Sequence, residues 1–258
     1  MVATATAGLA AGSVVMALLW AVQRRTRNAG IVDPAWAFLV GGLAVLAAST
    51  LEGWSGRRLA IAGAMVLWSA RLGLYLVRDR VMGRPEDGRY AAIRQSWGAS
   101  ADVRLFWFFQ LQAAAALFFA APSFIASMNP APSLTALERA ALVLWLVAFT
   151  GEVTADRQLE AFKRDPRSRG RTCRTGLWRL SRHPNYFFEW LMWVAYALFA
   201  LASPWGIVAL ACPAAMLYLL FRVTGIPATE AQALRSRGDD YRRYQQATSA
   251  FFPWFPKS

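Results

Sequence analysis

Four stretches of the chain contain no charged side chain: 1–23, 34–51, 105–137 and 190–221. Crossing roughly 30 Å of hydrocarbon takes about 20 helical residues, so each stretch is a membrane-spanning candidate. Two more, 59–77 and 140–155, are apolar apart from Arg71 and Glu152 respectively. The stretch 190–221 is too long for one crossing and is broken by Ser203-Pro204-Trp205-Gly206, a sequence that suits a tight helical hairpin. The pattern predicts an all-α, polytopic membrane bundle of seven transmembrane helices. They are expected at about 4–23, 34–51, 59–77, 105–125, 138–156, 185–202 and 205–222, in a single integral-membrane domain over 1–258 with a cytoplasmic C-terminal segment 223–258. The first segment carries no Lys or Arg ahead of its apolar run, and Arg24-Arg25 follow it, the reverse of a secretory signal.

Charge then tests this layout. The chain has 28 Lys+Arg against 15 Asp+Glu, a formal net charge of +13, with 57% hydrophobic residues. Such a combination excludes a disordered chain, and two cysteines exclude a disulfide scaffold. It leaves a nucleic-acid binder with a large core or a membrane protein with basic loops. Under the seven-helix layout, one face receives three cations in the first loop, six in the third, nine in the fifth and six from Arg222 through Lys257, 24 in all. The opposite face receives only Arg57, Arg58 and Arg139. A nucleic-acid partner gives no reason for this alternation and is excluded. The positive-inside rule places the N-terminus outside and the C-terminus in the cytoplasm. Cys173 then falls in a cytoplasmic loop and Cys212 within a helix, so no disulfide is expected. No metal site is expected, and no internal repeat supports a transporter of duplicated halves.

Polar groups at membrane depth are costly and mark functional sites. Arg71, Gln110, Gln112, Glu152 and Glu189 are such groups, and Asp33 sits at the cytoplasmic mouth of the second helix. Each taken alone could be a packing contact between helices. Together they read as the lining of a site near the cytoplasmic half.

The segment 152–189 is the most informative. Glu152, Asp156, Leu159 and Lys163 recur at helical spacing and share one face, which could carry acceptors for ribose hydroxyls or an amide or could be an ordinary solvated face. Arginines crowd the segment 163–174, and their guanidinium groups suit phosphates bidentately as well as topology signalling or anionic lipid. In Ser181-Arg182-His183-Pro184-Asn185-Tyr186-Phe187-Phe188-Glu189, Pro184 fits the first turn of a helix. The N-terminus of that helix offers free N–H groups and a positive dipole end, with Arg182 and His183 beside it and Asn185 and Glu189 one turn apart. His183 is the only histidine in the chain. Arg222, Glu230 and Tyr241 follow the last helix, and Phe251-Phe252-Pro253-Trp254-Phe255-Pro256 reads as an interfacial aromatic belt.

Gly176-Leu177-Trp178, the stretch Ser181 to Tyr186 and Glu189 resemble the signature of the membrane steroid 5-alpha-reductase family, in its bacterial branch. Trp68-Ser69-Ala70-Arg71-Leu72-Gly73-Leu74-Tyr75, Asp87-Gly88-Arg89-Tyr90, Glu152 with Asp156, and Tyr241 to Pro256 extend the resemblance over about 30–256. The resemblance implies a seven-helix protein of the bacterial inner membrane that binds NADPH from the cytoplasm. It also implies reduction of the C4–C5 double bond of a 3-oxo-4-ene steroid, or a related lipid enone, entering from the bilayer: a 3-oxo-5-alpha-steroid 4-dehydrogenase type of oxidoreductase. Cofactor contacts are implied by the resemblance for Asp156, Lys163, Arg171, Asn185, Glu189 and Arg222, and for Glu152; Arg182, His183, Tyr186 and Tyr241 are expected beside them as further cofactor-binding residues. Lys163 stands where the animal enzymes have arginine, and Glu152 where they have asparagine. The Gln-Glu pair that holds the steroid carbonyl in those enzymes is absent here; the nearest acid is Asp33, and Trp68 or Tyr75 approximates the substrate tyrosine.

The chemistry is consistent with this inventory. Negative charge develops on the carbonyl oxygen when hydride reaches the β-carbon of an enone, and a placed donor stabilises it. Asp33 would serve only if burial kept it protonated; Tyr75 needs no shift. No G-x-G-x-x-G follows a strand, so helix ends and arginines are left to bind phosphate. An Arg-His-Pro-x-Tyr stretch with a C-terminal Glu also occurs in isoprenylcysteine carboxyl methyltransferase-like enzymes, which use S-adenosylmethionine. A lipid-binding or scaffold protein without chemistry is the third class.

Overall fold

The structure is a computed structural model that describes residues 1–223 and 225–256. Lys257, counted above among the C-terminal cations, lies outside the described residues. Every regular element among the described residues is helical, and the chain divides into two compact units, 1–135 with 200–206 and 136–199 with 207–258.

In the first unit α1 (Val2–Thr26), α2 (Val32–Thr50), α3 (Ser55–Arg80) and α5 (Ala101–Ala126) are long and apolar, and the short α4 (Gly88–Trp97) is polar. Small residues let α2 and α3 approach closely. A Cβ on Gly41 would lie 2.5 Å from Ser69 Oγ, which itself donates to the Ala37 carbonyl at 2.8 Å. Trp36 sets its ring edge-on to Trp68 at 5.8 Å and to Phe119 at 5.6 Å, filling the space between α2, α3 and α5. Outward-facing positions are apolar as well, with Val14 60% and Leu111 61% exposed, as expected of a surface whose solvent is lipid.

In the second unit α6 (Ala136–Arg164) runs eight residues beyond its expected end at 156, because Leu159 and Phe162 continue its apolar stripe. The one-turn α7 (Leu177–Leu180) is fixed to it twice: Gln158 Oε1 accepts from Leu177 N at 2.9 Å, and the Trp178 indole donates to the Ala155 carbonyl at 2.8 Å. Gly176, at φ +58, supplies the left-handed residue that turns the chain into α7. Then α8 (Pro184–Leu201) begins at Pro184, as expected, and runs into 200–206, which belongs to the first unit and whose hairpin turns on Trp205 with φ +65. The stretch expected as a uniform helix at 205–222 instead splits into a 3-10 segment (Gly206–Leu210), α9 (Ala211–Tyr218) and a π-helical turn (Leu219–Val223). Two further helices, α10 (Ile226–Arg237) and α11 (Asp239–Ala247), form the C-terminal segment, hinged on Gly238 at φ +50. Tyr244 of α11 donates its hydroxyl to the carbonyls of Trp178 and Ser181. The chain end lies along α7, with Arg182 N to Ser249 O at 2.8 Å and Trp254 N to Leu180 O at 2.9 Å, and buries Phe251 against Phe187, Trp190 and Phe221.

Five segments have the length and apolar composition to cross a membrane: Val2–Thr26, Ala29–Thr50, Ser55–Arg80, Gly88–Ala126 and Gly206–Arg237. They make the chain an integral membrane protein. The expected helices at 138–156 and 185–202 exist but are not among these five. Glu138, Arg139, Glu152, Asp156 and Arg157 punctuate α6, and α8 has only 18 residues, with Asn185 and Glu189 in its first two turns.

Candidate functional site

The signature stretch folds as a short extended link into a helix. Ser181 Oγ accepts from His183 N at 3.1 Å and donates to Phe251 O at 2.8 Å, and Pro184 then opens α8. Glu230, one turn into α10, faces this link. Its Oε1 accepts from Arg182 Nε at 2.7 Å and from the Tyr241 hydroxyl at 3.4 Å, and lies 3.2 Å from His183 Nε2, while Oε2 accepts from Gln245 Nε2 at 2.9 Å. Arg182 also donates Nη1 to the carbonyls of Gln245 and Thr248, at 2.9 and 2.7 Å. Burial pushes the Tyr241 phenol up to about 12, so it remains protonated and a donor. His183 is 3% exposed and stacks flat on Tyr186, ring centres 5.3 Å apart. Arg182 and His183 are therefore tied into an anchoring pair that fastens α10 and α11 to the start of α8.

Beside this anchor opens a cavity of about 520 Å³, within the usual range of small-molecule sites. Its walls come from the end of α6, the 168–173 loop, the first turn of α8, and α10 and α11. Five cations line it, Lys163, Arg169, Arg171, Arg182 and Arg237, with no acidic side chain among the described lining residues. The loop is held from outside: Asp240 Oδ2 accepts from Thr172 N at 2.8 Å, and its Oδ1 pairs with Arg174 at 2.8 Å. Burial works against the charge of Asp240, but hydrogen bonding from Thr172 and the Arg174 charge outweigh it and hold the carboxyl below its ordinary range.

Seven residues expected to contact a cofactor line this one cavity: Lys163, Arg171, Arg182, His183, Asn185, Tyr186 and Tyr241. Asp156 stands behind it, accepting from Asn185 Nδ2 at 3.4 Å. Glu189 lies one turn deeper along α8 and accepts the indole N–H of Trp193 at 2.8 Å, and Glu152 is buried on α6. Arg222 lies outside the lining, exposed on the π-helical turn. Of α10 only Glu230 was expected near the site, and the residues of this helix that line the cavity were not. Thr229, Gln232, Ala233, Ser236 and Arg237 all face the cavity, and their spacing of three, one, three and one is the helical signal that could have found them. Cys173 also lines the cavity, and both cysteines are free thiols.

The three expected catalytic residues lie in the first unit. Asp33 opens α2 and pairs with Arg80 and with Arg89, the latter at 3.5 Å, while Tyr90 donates its hydroxyl to Oδ1 at 2.7 Å. Both Asp33 oxygens are engaged in this arrangement, Oδ1 by the Tyr90 hydroxyl and Oδ2 by Arg80 and Arg89. Trp68 has no exposed surface and is packed on Trp36. Tyr75 is 52% exposed on α3.

An uncharacterized protein of Schizosaccharomyces pombe, C594.04c, is 32% identical over 287 residues, covering 95% of this chain and 78% of its own length. No solved structure matches the chain. A protein-family profile matches residues 19–248, nearly the whole chain, and the chain therefore belongs to the family described as "Protein of unknown function (DUF1295)".

Proposed function

We propose that this protein is an NADPH-dependent membrane reductase that adds hydride to the β-carbon of a lipid enone, of which 3-oxo-4-ene steroids are the expected class. The observation that carries the reading is the cavity at the start of α8, lined by five cations and by no acid among the described residues. Its donor set fits a phosphate-bearing nucleotide. Lys163, Arg169, Arg171 and Arg237 offer charge to phosphates, and the free N–H groups at the start of α8 complement them. Asn185, Tyr186 and Tyr241 add neutral donors and acceptors for ribose and amide groups. When bound, NADPH supplies the hydride. The same lining disfavours S-adenosylmethionine, whose sulfonium brings another positive charge and no phosphate.

The enone oxygen needs a donor as it gains negative charge. Tyr75 is assigned that role, because its phenol is a hydrogen-bond donor on an exposed part of α3, whereas Asp33 is committed to Arg80, Arg89 and Tyr90. In this reading the helices at 136–164 and 184–201 also cross, giving seven spans in a bacterial inner membrane with the N-terminus outside and the C-terminus cytoplasmic. Asymmetry of the loop cations, 24 against three, supports that orientation. Incubating membranes that contain the protein with NADPH and a 3-oxo-4-ene steroid is expected to give the 4,5-saturated ketone with matching NADPH consumption. Failure to reduce any member of a panel of lipid enones overturns the assignment.

A further inference from the structure

The two ends of the first unit treat their arginines in opposite ways. At the end where α2 passes into α3, Arg57 has no exposed surface and donates to the carbonyls of Asn129, Ala131 and Ser133 at 3.0, 2.7 and 2.7 Å. Arg58 donates to those of Ala48 and Leu51, at 2.8 and 2.6 Å. Both guanidinium groups are thus turned inward onto backbone.

At the other end the cations are displayed. Along α1, Leu18, Val22 and Arg25 follow at helical spacing on one exposed face, apolar then cationic. Along the antiparallel α5, Arg104, Trp107 and Leu111 do the same in reverse, with Trp107 66% exposed. The two steps stand side by side, since the Trp20 indole donates to the Asp102 carbonyl at 2.8 Å and Trp20 packs edge-on to Phe106 at 5.2 Å. Arg24 lies over Trp20 at 5.1 Å and Arg104 over Trp97 at 5.8 Å. Asp102 partly neutralises Arg24 at 3.3 Å and Arg27 at 4.0 Å, but neither Arg25 nor Arg104 has an acidic partner among the described residues.

We infer that this arginine and tryptophan belt on α1 and α5 is a binding surface for the phosphate headgroups of anionic phospholipids. An aromatic ring at the apolar-to-polar step fixes the depth of the helix in the interface. Arginine beside it, stacked on Trp97 in the case of Arg104 and without an acidic partner at both Arg25 and Arg104 among the described residues, presents a planar fork that fits a phosphodiester. Neutral headgroups also carry a phosphate, but their own cation offsets it, so discrimination rests on net charge. The inward-turned Arg57 and Arg58 offer no such fork, so within the first unit the preference belongs to one end.

The test is native mass spectrometry of the full-length protein in detergent, titrated separately with phosphatidylglycerol, phosphatidylcholine and inorganic phosphate. Wild type is expected to bind phosphatidylglycerol at least about tenfold more tightly than phosphatidylcholine. Arg25→Gln with Arg104→Gln is expected to weaken the phosphatidylglycerol adduct about 30-fold, from roughly one surface charge interaction lost per arginine, with phosphatidylcholine binding unchanged. Arg104→Gln alone, at an exposed position and retained as folded in the same spectra, is expected to give an intermediate loss. Equal affinity for the two lipids, an unchanged phosphatidylglycerol adduct in both variants, or equally tight binding of inorganic phosphate overturns the proposal.

Discussion

Arg182 Nε meets Glu230 Oε1 at 2.7 Å, joining the residue two before α8 to the middle of α10. Both side chains are mostly buried, at 12% and 16% exposure, and His183 and Gln245 converge on the same carboxylate. Removing the acid leaves a buried guanidinium without its counter-charge. Glu230→Ala is therefore expected to destabilise the protein by on the order of 3 kcal/mol and to loosen α10 and α11. Glu230→Gln, which keeps acceptors for Arg182 and Tyr241, is expected to lose less. Thermal unfolding of detergent-solubilised variants checks the order; an unchanged midpoint in Glu230→Ala would remove the anchor from the account.

Trp193 donates its indole N–H to Glu189 four residues earlier on the same helix. Trp193→Phe keeps an aromatic ring there but deletes one hydrogen bond, worth about 0.5–1.5 kcal/mol. If Glu189 serves the cofactor, NADPH-dependent turnover is expected to fall by up to about tenfold in Trp193→Phe and to vanish in Glu189→Ala and Asn185→Ala, with all three still extracted as folded protein. Full turnover in Glu189→Ala or Asn185→Ala would take the reaction away from this end of α8.

Arg171 projects from the 168–173 loop into the cavity and is not tied to any acid in the anchor. Arg171→Ala is expected to raise the dissociation constant for NADPH roughly tenfold to a hundredfold, the loss of one charge-assisted phosphate contact, and to leave NADH binding nearly unaltered. Equal losses for the two nucleotides would show that Arg171 does not read the 2′-phosphate.

Asp240 sets a pH dependence. Its carboxyl is held below its ordinary value of 3.8 by Thr172 and Arg174, so its contribution to stability is present above that pH and is lost as pH falls through the folded-state value. Acid unfolding followed from pH 5 downward is expected to begin at higher pH in Asp240→Asn than in wild type, with the 168–173 loop becoming protease-sensitive first. Coincident acid transitions in the two proteins would contradict the tether.

Much of this arrangement was legible before any coordinates. Charge-free windows located α1, α2 and α5 within a few residues, because an apolar run of that length has few alternatives, and Pro184 marked the start of α8 because its missing N–H is harmless only there, whereas the end of α6 and the breaks within 206–223 carried no such mark. The cavity was legible as the 163–186 cations. What escaped was the wall built by α10. Its polar face looks like any solvated helix, and only the tertiary pairing of Glu230 with Arg182 turns it inward. Arg182 and His183 line the cavity as their sequence neighbours suggest, but their pairing with Glu230, some 47 positions away, has no local signal. The contacts of Asp33 are equally hidden from local pattern, since Arg80, Arg89 and Tyr90 are 47 or more positions away in sequence.

The central claim is that the cavity at the start of α8 holds NADPH. Thermal unfolding of the purified protein with NADPH, and separately with S-adenosylmethionine, tests it most directly. At about a hundredfold excess over its dissociation constant a ligand adds roughly 2.7 kcal/mol, a clear rise in midpoint. NADPH is predicted to produce that rise, Arg171→Ala to reduce it, and S-adenosylmethionine to leave the midpoint unchanged. Stabilisation by S-adenosylmethionine with none by NADPH would contradict the claim.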